Sequence, residues 1–255
     1  MFKLLYADCR KLLYHAGMRE GMAAISGYLL VYTVVMKLVS RFVGSDITAD
    51  EVHMTYSGIA NLLVTACMLM TTVSDFSDGC IRNKLISGAD RTAIFLSAEI
   101  TGLLQAAILS AVACAESLLL SLIFTKGGMQ TMTAAELADH WMINALSCMS
   151  IAVFSTMLIM VLGGSKLSYI VGIVIAVGMN IFTLMVLDKL YPEQGSCTLT
   201  GIKLTLYRFY DSFVPYAYLS MRQHHCMGSY LIGSLGLMLI SMVAGLLIFN
   251  KKEIQ

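Results

Sequence analysis

The chain has 255 residues, 58% of them apolar and 13% charged, with two prolines and a mean hydropathy of +0.77. That excludes a water-soluble globular domain, in which about half the residues are apolar and about a quarter charged. A formal net charge of +1 also excludes the basic footprint of a nucleic-acid binder.

Residues 1–20 are the first predicted element, an amphipathic helix lying on the membrane surface. Phe2, Leu5, Tyr6, Cys9, Leu12, Leu13 and Ala16 recur at helical spacing, while Lys3, Asp8, Arg10, Lys11 and Arg19 take the other side. It does not read as a secretory signal, since Asp8, Arg10 and Lys11 interrupt it before an apolar core forms. A bilayer core of about 30 Å needs roughly 20 apolar helical residues per crossing. Six segments meet that requirement, near 21–43, 54–74, 94–124, 141–163, 167–187 and 229–249. The expected fold class is all-α: one polytopic membrane domain over residues 1–255, with six transmembrane helices. The alternation that a β-barrel needs is not found.

An even number of spans puts both termini on one side. Of the 17 Lys and Arg residues, ten fall in residues 1–20, the loop after the second span, the turn near Gly163 and the C-terminal tail. The positive-inside bias therefore puts both termini in the cytoplasm of a multi-pass plasma-membrane protein, although Lys37 and Arg41 near the far end of the first span run against it. On the outer side, residues 188–228 form a structured loop. Tyr207, Phe209, Tyr210, Phe213, Tyr216 and Tyr218 suit short helices at headgroup level, with Pro192 and Pro215 as breaks.

The chain carries no catalytic or metal signature. Seven cysteines occur singly without a CxxC pair, and the sequence leaves open a disulfide between the two in the outer loops, Cys197 and Cys226. His15, His53, His140, His224 and His225 form no HExxH, so no metal is expected. No Gx4GK[ST] is present, so no cofactor is expected in this chain; ATP and its Mg would have to be bound by a partner.

The charged insert DFSDGCIRNKLISGADR, beginning at Asp75 between two apolar runs, is the handle of this domain. Ser77 or Asp78 is expected to cap a short helix from Gly79, with Ile81 and Leu85 on one apolar ridge, Arg82 and Lys84 as charged flanks, and Gly88 as the stop. Such a helix suits a cleft in a partner ATPase; the plainer reading is a solvated basic loop. Asp78, Gly79, Ile81, Arg82, Asn83, Leu85, Gly88 and Arg91, in that order, resemble the corresponding loop in permeases of type 2 ABC exporters, the ABC-2 family. Cys80 departs from the Thr usual there, and Ala98-Glu99 stands where a Lys is frequent.

The resemblance covers the whole chain in outline, including the elbow helix before the first span. It implies a permease coupled through residues 75–92, Phe76 and Lys84 included, to two ABC ATPase subunits. It further implies a second permease copy or a paralogue, and export of an amphipathic or apolar cargo, most naturally a peptide, as in bacitracin and lantibiotic resistance or phenol-soluble modulin export.

Ser57, Asn61, Thr65, Met68 and Thr72 follow spacings of four and three along the second span and read either as a substrate path or as interhelical glue. Ser168, Gly172 and Ala176 form a small-residue ridge in the fifth span, suited to tight packing or to a two-fold dimer axis, with Asn180 one turn on as a further candidate for the path. Helix rise places Glu116 at the outer interface and Glu99 at the inner edge. The alternatives to a permease are a membrane-embedded enzyme, which needs a buried nucleophile beside a base, and a non-transporting scaffold or sensor.

Overall fold

One residue, His15, separates the interfacial helix from the first span. The computed structural model describes residues 2–44, 46–125, 132–192, 197, 199–219 and 227–251. Helix α1 (Phe2–Tyr14) ends where His15 adopts extended backbone, and α2 (Ala16–Val43) begins with His15 Nδ1 accepting from the Gly17 N–H at 3.0 Å. Helix α2 closes on Gly44 in the left-handed region, φ 75°. The second span is built from α3 (Ala49–Met54) and α4 (Ser57–Ser77), followed by α5 (Cys80–Ile86) and the long α6 (Arg91–Phe124). Then come α7 (Ala134–Leu162), α8 (Lys166–Leu190), the short α9 (Gly201–Phe213) and α10 (Pro215–Tyr218), and α11 (Met227–Lys251). Among the described residues every regular element is a helix, and six segments are long and apolar enough to cross a membrane. The all-α, six-span expectation holds, with spans running a few residues beyond the apolar cores at most ends.

Those extensions have local causes. Thr48 with Glu51, and Thr133 with Glu136, form reciprocal capping boxes that start α3 and α7 upstream of the apolar runs. At 34 residues α6 is about 50 Å long at about 1.5 Å per residue, so it overshoots a bilayer core of about 30 Å. Pro215 marks a break between short helices as expected: α9 ends at Phe213, Val214 before the proline is extended, and Pro215 opens α10, where a missing N–H costs nothing.

Helix α7 is the most buried span and packs against α4, α6, α8 and α11. Glycines set the closest approaches: a Cβ on Gly245 of α11 would stand 2.3 Å from Phe95 Cζ, and one on Gly172 of α8 would stand 2.8 Å from Leu69 Cδ2. Ser168, Gly172 and Ala176 are all buried in the chain's own bundle, with Gly172 against α4. The ridge is thus used inside the subunit, and the expectation of a dimer axis along it is corrected. The faces left open are apolar: Ile170, Val174, Val177 and Ile181 on α8, and Val31, Val35 and Leu38 on α2.

On the side away from the termini, Tyr210 exchanges a hydrogen bond with Thr183 at 2.7 Å and the Tyr191 hydroxyl donates to Asp211 Oδ2 at 2.8 Å, docking α9 on the end of α8. Burial, reinforced by that carboxylate, pushes the Tyr191 phenol up to about 12. Cys197 is exposed; Cys226, and with it the pairing question, lies outside the described residues, as do His224 and His225.

The glycine contacts make a graded expectation. Gly245→Ala should destabilise the detergent-solubilised protein by about 1–3 kcal/mol, because the methyl meets Phe95 and Met157. Gly27→Ala, where a Cβ meets nothing, should be neutral or stabilising by up to about 1 kcal/mol. Thermal unfolding of the two variants decides; equal effects would contradict this packing.

Candidate functional site

The handle forms because two glycines permit what no other residue would. Helix α4 ends at Ser77, and Gly79 turns the chain at φ 67° so that α5 can start at once. At the other end Gly88, φ 84°, donates to Leu85 O at 3.0 Å and Ala89 donates to Lys84 O at 3.1 Å, the paired closure of a Schellman motif. Gly88 therefore stops the helix as expected. Capping by Ser77 or Asp78 does not occur. The Ser77 hydroxyl donates back to Ser74 O at 3.1 Å within α4, and Asp78 lies in the turn that closes that helix.

The polar face of α1 holds the handle in place. Asp8 is 9% exposed, and its two carboxylate oxygens accept from Lys84 Nζ of α5 at 2.7 and 2.8 Å, while Oδ2 also accepts from Ser97 Oγ of α6 at 2.6 Å. One turn on, Lys11 Nζ donates to Asp75 Oδ1 of α4 and to Cys80 Sγ of α5, the latter at 3.2 Å. Burial pulls the Lys11 ammonium down, but the bonds to Asp75 and Cys80 outweigh it and leave its pKa above the ordinary value. His15 Nε2 and Ser74 Oγ, 2.8 Å apart, complete the seam. The amphipathic helix thus turns Asp8 and Lys11 toward the protein and leaves Phe2, Lys3, Tyr6, Arg10, Leu13 and Tyr14 exposed. The expected division of apolar and charged residues onto two sides does not hold throughout: Asp8 and Lys11 turn inward with Leu12, while Lys3 and Arg10 are exposed, as are Phe2 and Tyr6.

The handle's apolar ridge also points the other way from the expectation. Ile81 is 3% exposed and packs with Ile94, Phe95, Met160 and Phe249; Leu85 and Phe76 lie half-buried on the same cluster. Ile81 and Leu85 therefore root α5 in its own bundle instead of offering it to a partner. Facing outward are Arg82, Asn83 and Ile86, the last 74% exposed, with Asp78, Ser87, Gly88 and Asp90 around them. Arg91 is half-buried at the first position of α6. Gly164, φ 63° in the turn between α7 and α8, lies against Phe76, so this turn also abuts the handle.

The polar stripe of α4 is sealed. Ser57 sits within hydrogen-bonding distance of His140 Nε2 (3.3 Å) and accepts from Asn144 Nδ2 at 3.0 Å; Asn61 Nδ2 donates to Ala176 O at 3.0 Å; Ser155 Oγ donates to Thr65 Oγ1 at 3.5 Å. Met68 packs beside Gly102. These residues join α4 to α6, α7 and α8, the glue reading, and in this state they line no open path. Thr72 reaches a narrow cleft between α1, α4 and α6, lined also by Asp8, Lys11, Leu12, His15, Thr71, Asp75, Ala98, Thr101, Gly102 and Gln105. About 30 Å³ of it is open to water, enough for about two molecules. Asn180 is half-exposed on α8.

Sequence reasoning missed the Ser57–His140 pair because 83 residues separate its members. A serine beside a histidine is what a membrane-embedded hydrolase would need. Here Ser57 is buried, Asn144 donates to the oxygen that would attack, and Tyr56, Cys148 and Trp141 pack around the pair. The arrangement is a packed polar network. No group of three His, Cys, Asp or Glu side chains suited to a metal occurs among the described residues.

No protein-family model matches the chain, and no curated protein matches it.

Two single substitutions separate root from surface. Ile81→Asp places a charge in an apolar cluster and should cost at least about 3 kcal/mol or abolish folded yield. Ile86→Asp should stay within about 0.5 kcal/mol of the parent. Folded yield and thermal unfolding of the purified variants read the difference; a tolerated Ile81→Asp would contradict the orientation of α5.

Proposed function

We propose that this chain is the permease subunit of an ATP-driven exporter of the ABC-2 type, moved by two copies of a separate ATPase that binds ATP and Mg. The observation that carries the reading is the mounting of α5. It is a short helix with stops at both ends, on the side of the termini, and it presents Arg82, Asn83 and Ile86 outward while bonded through Lys84 and Cys80 to α1. A force applied to α5 passes to α1 by the ion pair, to α4 by the Gly79 turn, and to α6 and α11 by the Ile81 cluster. Rigid-body transmission of this kind is how a nucleotide-driven partner moves spans that hold no nucleotide. The Lys/Arg bias supports a cytoplasmic location for this face, in the plasma membrane.

The sealed stripe of α4 supports a pathway completed by a second copy or a paralogue, for which the open faces of α2 and α8 are available. Cargo of apolar or amphipathic character, most naturally a peptide, fits the apolar groove of about 430 Å³ between α9 and α11, lined by Phe209, Phe213, Pro215, Ile232 and Leu237.

The test is copurification with the P-loop ATPase encoded beside this chain, when present, and ATP turnover of the pair. The isolated chain should turn over no ATP. Replacing Arg82 by Glu and Ile86 by Asp together should leave the six spans folded but weaken ATPase recovery at least about tenfold, since burying an Ile contributes about 1.5–3 kcal/mol. ATP hydrolysis by the isolated chain, or unchanged assembly and transport in the double variant, would overturn the reading.

A further inference from the structure

Glu99 lies eight residues into α6, about 12 Å along its axis from the end nearest the termini. Its side chain is fully buried, and neither carboxylate oxygen has a hydrogen-bond partner among the described residues. An ionised carboxylate in such a place would be penalised by many kcal/mol, so it must hold a proton or a cation.

The groups around it are neutral. Phe95, one turn below, packs on Gly245 of α11, and this register brings Ser241 to the turn of α6 that carries Glu99. One turn above, a Cβ on Gly102 would stand 2.7 Å from Thr156 Oγ1 of α7. Both hydroxyls are buried and lack partners among the described residues. The charged side chains of the packed elements are occupied or remote. Asp8, bonded to Ser97, is held by Lys84, and Lys11 is held by Asp75. Arg19 and Glu20 of α2 are exposed, Lys251 stands at the tip of α11, and Asp50, Glu51 and His53 of α3 and Glu136, Asp139 and His140 of α7 belong to the far end of the bundle.

Gly102 is also part of the lining of the cleft described above, as is Gln105, whose Oε1 is buried and unpartnered. With no side chain at Gly102, α6 is thin where the cleft lies on one side and the Thr156 hydroxyl on the other. We propose that Glu99 is a proton-binding carboxyl, one turn of α6 from this cleft. The site is independent of the ATPase-coupling role of α5.

Infrared spectroscopy of the full chain in lipid tests it. At neutral pH the protein should show the carbonyl stretch of a protonated, non-hydrated carboxyl, lost in Glu99→Gln, kept in Glu116→Gln, and replaced by carboxylate bands as pH is raised. Should Glu99→Gln fail to fold, Glu99→Asp, which keeps the acid on a shorter side chain, should move the band, and an unmoved band overturns the assignment. The band should shift on transfer to D2O, as an exchangeable acid proton requires. Absence of the band at neutral pH, as a bound metal cation would produce, or its survival in folded Glu99→Gln, overturns the site.

Discussion

The carboxylate of Asp8 is the constraint on which the termini end of this bundle depends. It sits on a helix that the sequence pattern assigns to the membrane surface, yet it is nearly buried and accepts three hydrogen bonds, two from Lys84 and one from Ser97. A carboxylate at that depth is tolerated only because its oxygens are engaged, and removing its cation would leave an uncompensated charge at a cost of about 3–5 kcal/mol. The pair therefore fixes where α1, α5 and α6 stand relative to one another. The neighbouring Lys11 bonds bring α4 into the same arrangement.

From this follows the distribution of apolar surface. With Asp8 and Lys11 drawn inward, α1 presents Phe2, Tyr6, Leu13 and Tyr14 with Lys3 and Arg10 among them, which suits a helix lodged at the headgroup level. With Lys84 drawn toward α1 and Ile81 toward the spans, α5 has Arg82, Asn83 and Ile86 left for its outer face. The handle's available surface is what remains after its anchoring contacts are made. That also explains why α5 can be rigid at seven residues, a length at which an isolated helix in water would not persist.

Much of this was legible in the sequence, for identifiable reasons. The six spans follow from apolar length, since the bilayer demands about 20 residues per crossing and the polar turns are short. The stop at Gly88 follows from the one residue type that closes a helix in the left-handed region without strain. The direction of the Ile81 ridge was not legible, because Ile81, Leu85 and Ile86 cannot all share one face of a helix, and only the contact with Phe95 and Phe249 decides which two turn inward. The burial of Asp8 was not legible because its partners Lys84 and Ser97 lie 76 and 89 residues away. The same distance effect hid the Ser57–His140 pair and left the small-residue ridge of α8 without its partner Leu69.

If the Asp8–Lys84 pair organises the termini end, its two members must be energetically coupled in a way that neighbouring surface charges are not. The direct measurement is a double-mutant cycle on folding stability in lipid–detergent mixtures, using Asp8→Ala, Lys84→Ala and the double variant. The expected interaction energy is about 1.5–3 kcal/mol, with each single variant more destabilised than its share in the double. Additivity within about 0.5 kcal/mol would contradict the account and reduce the pair to a surface contact.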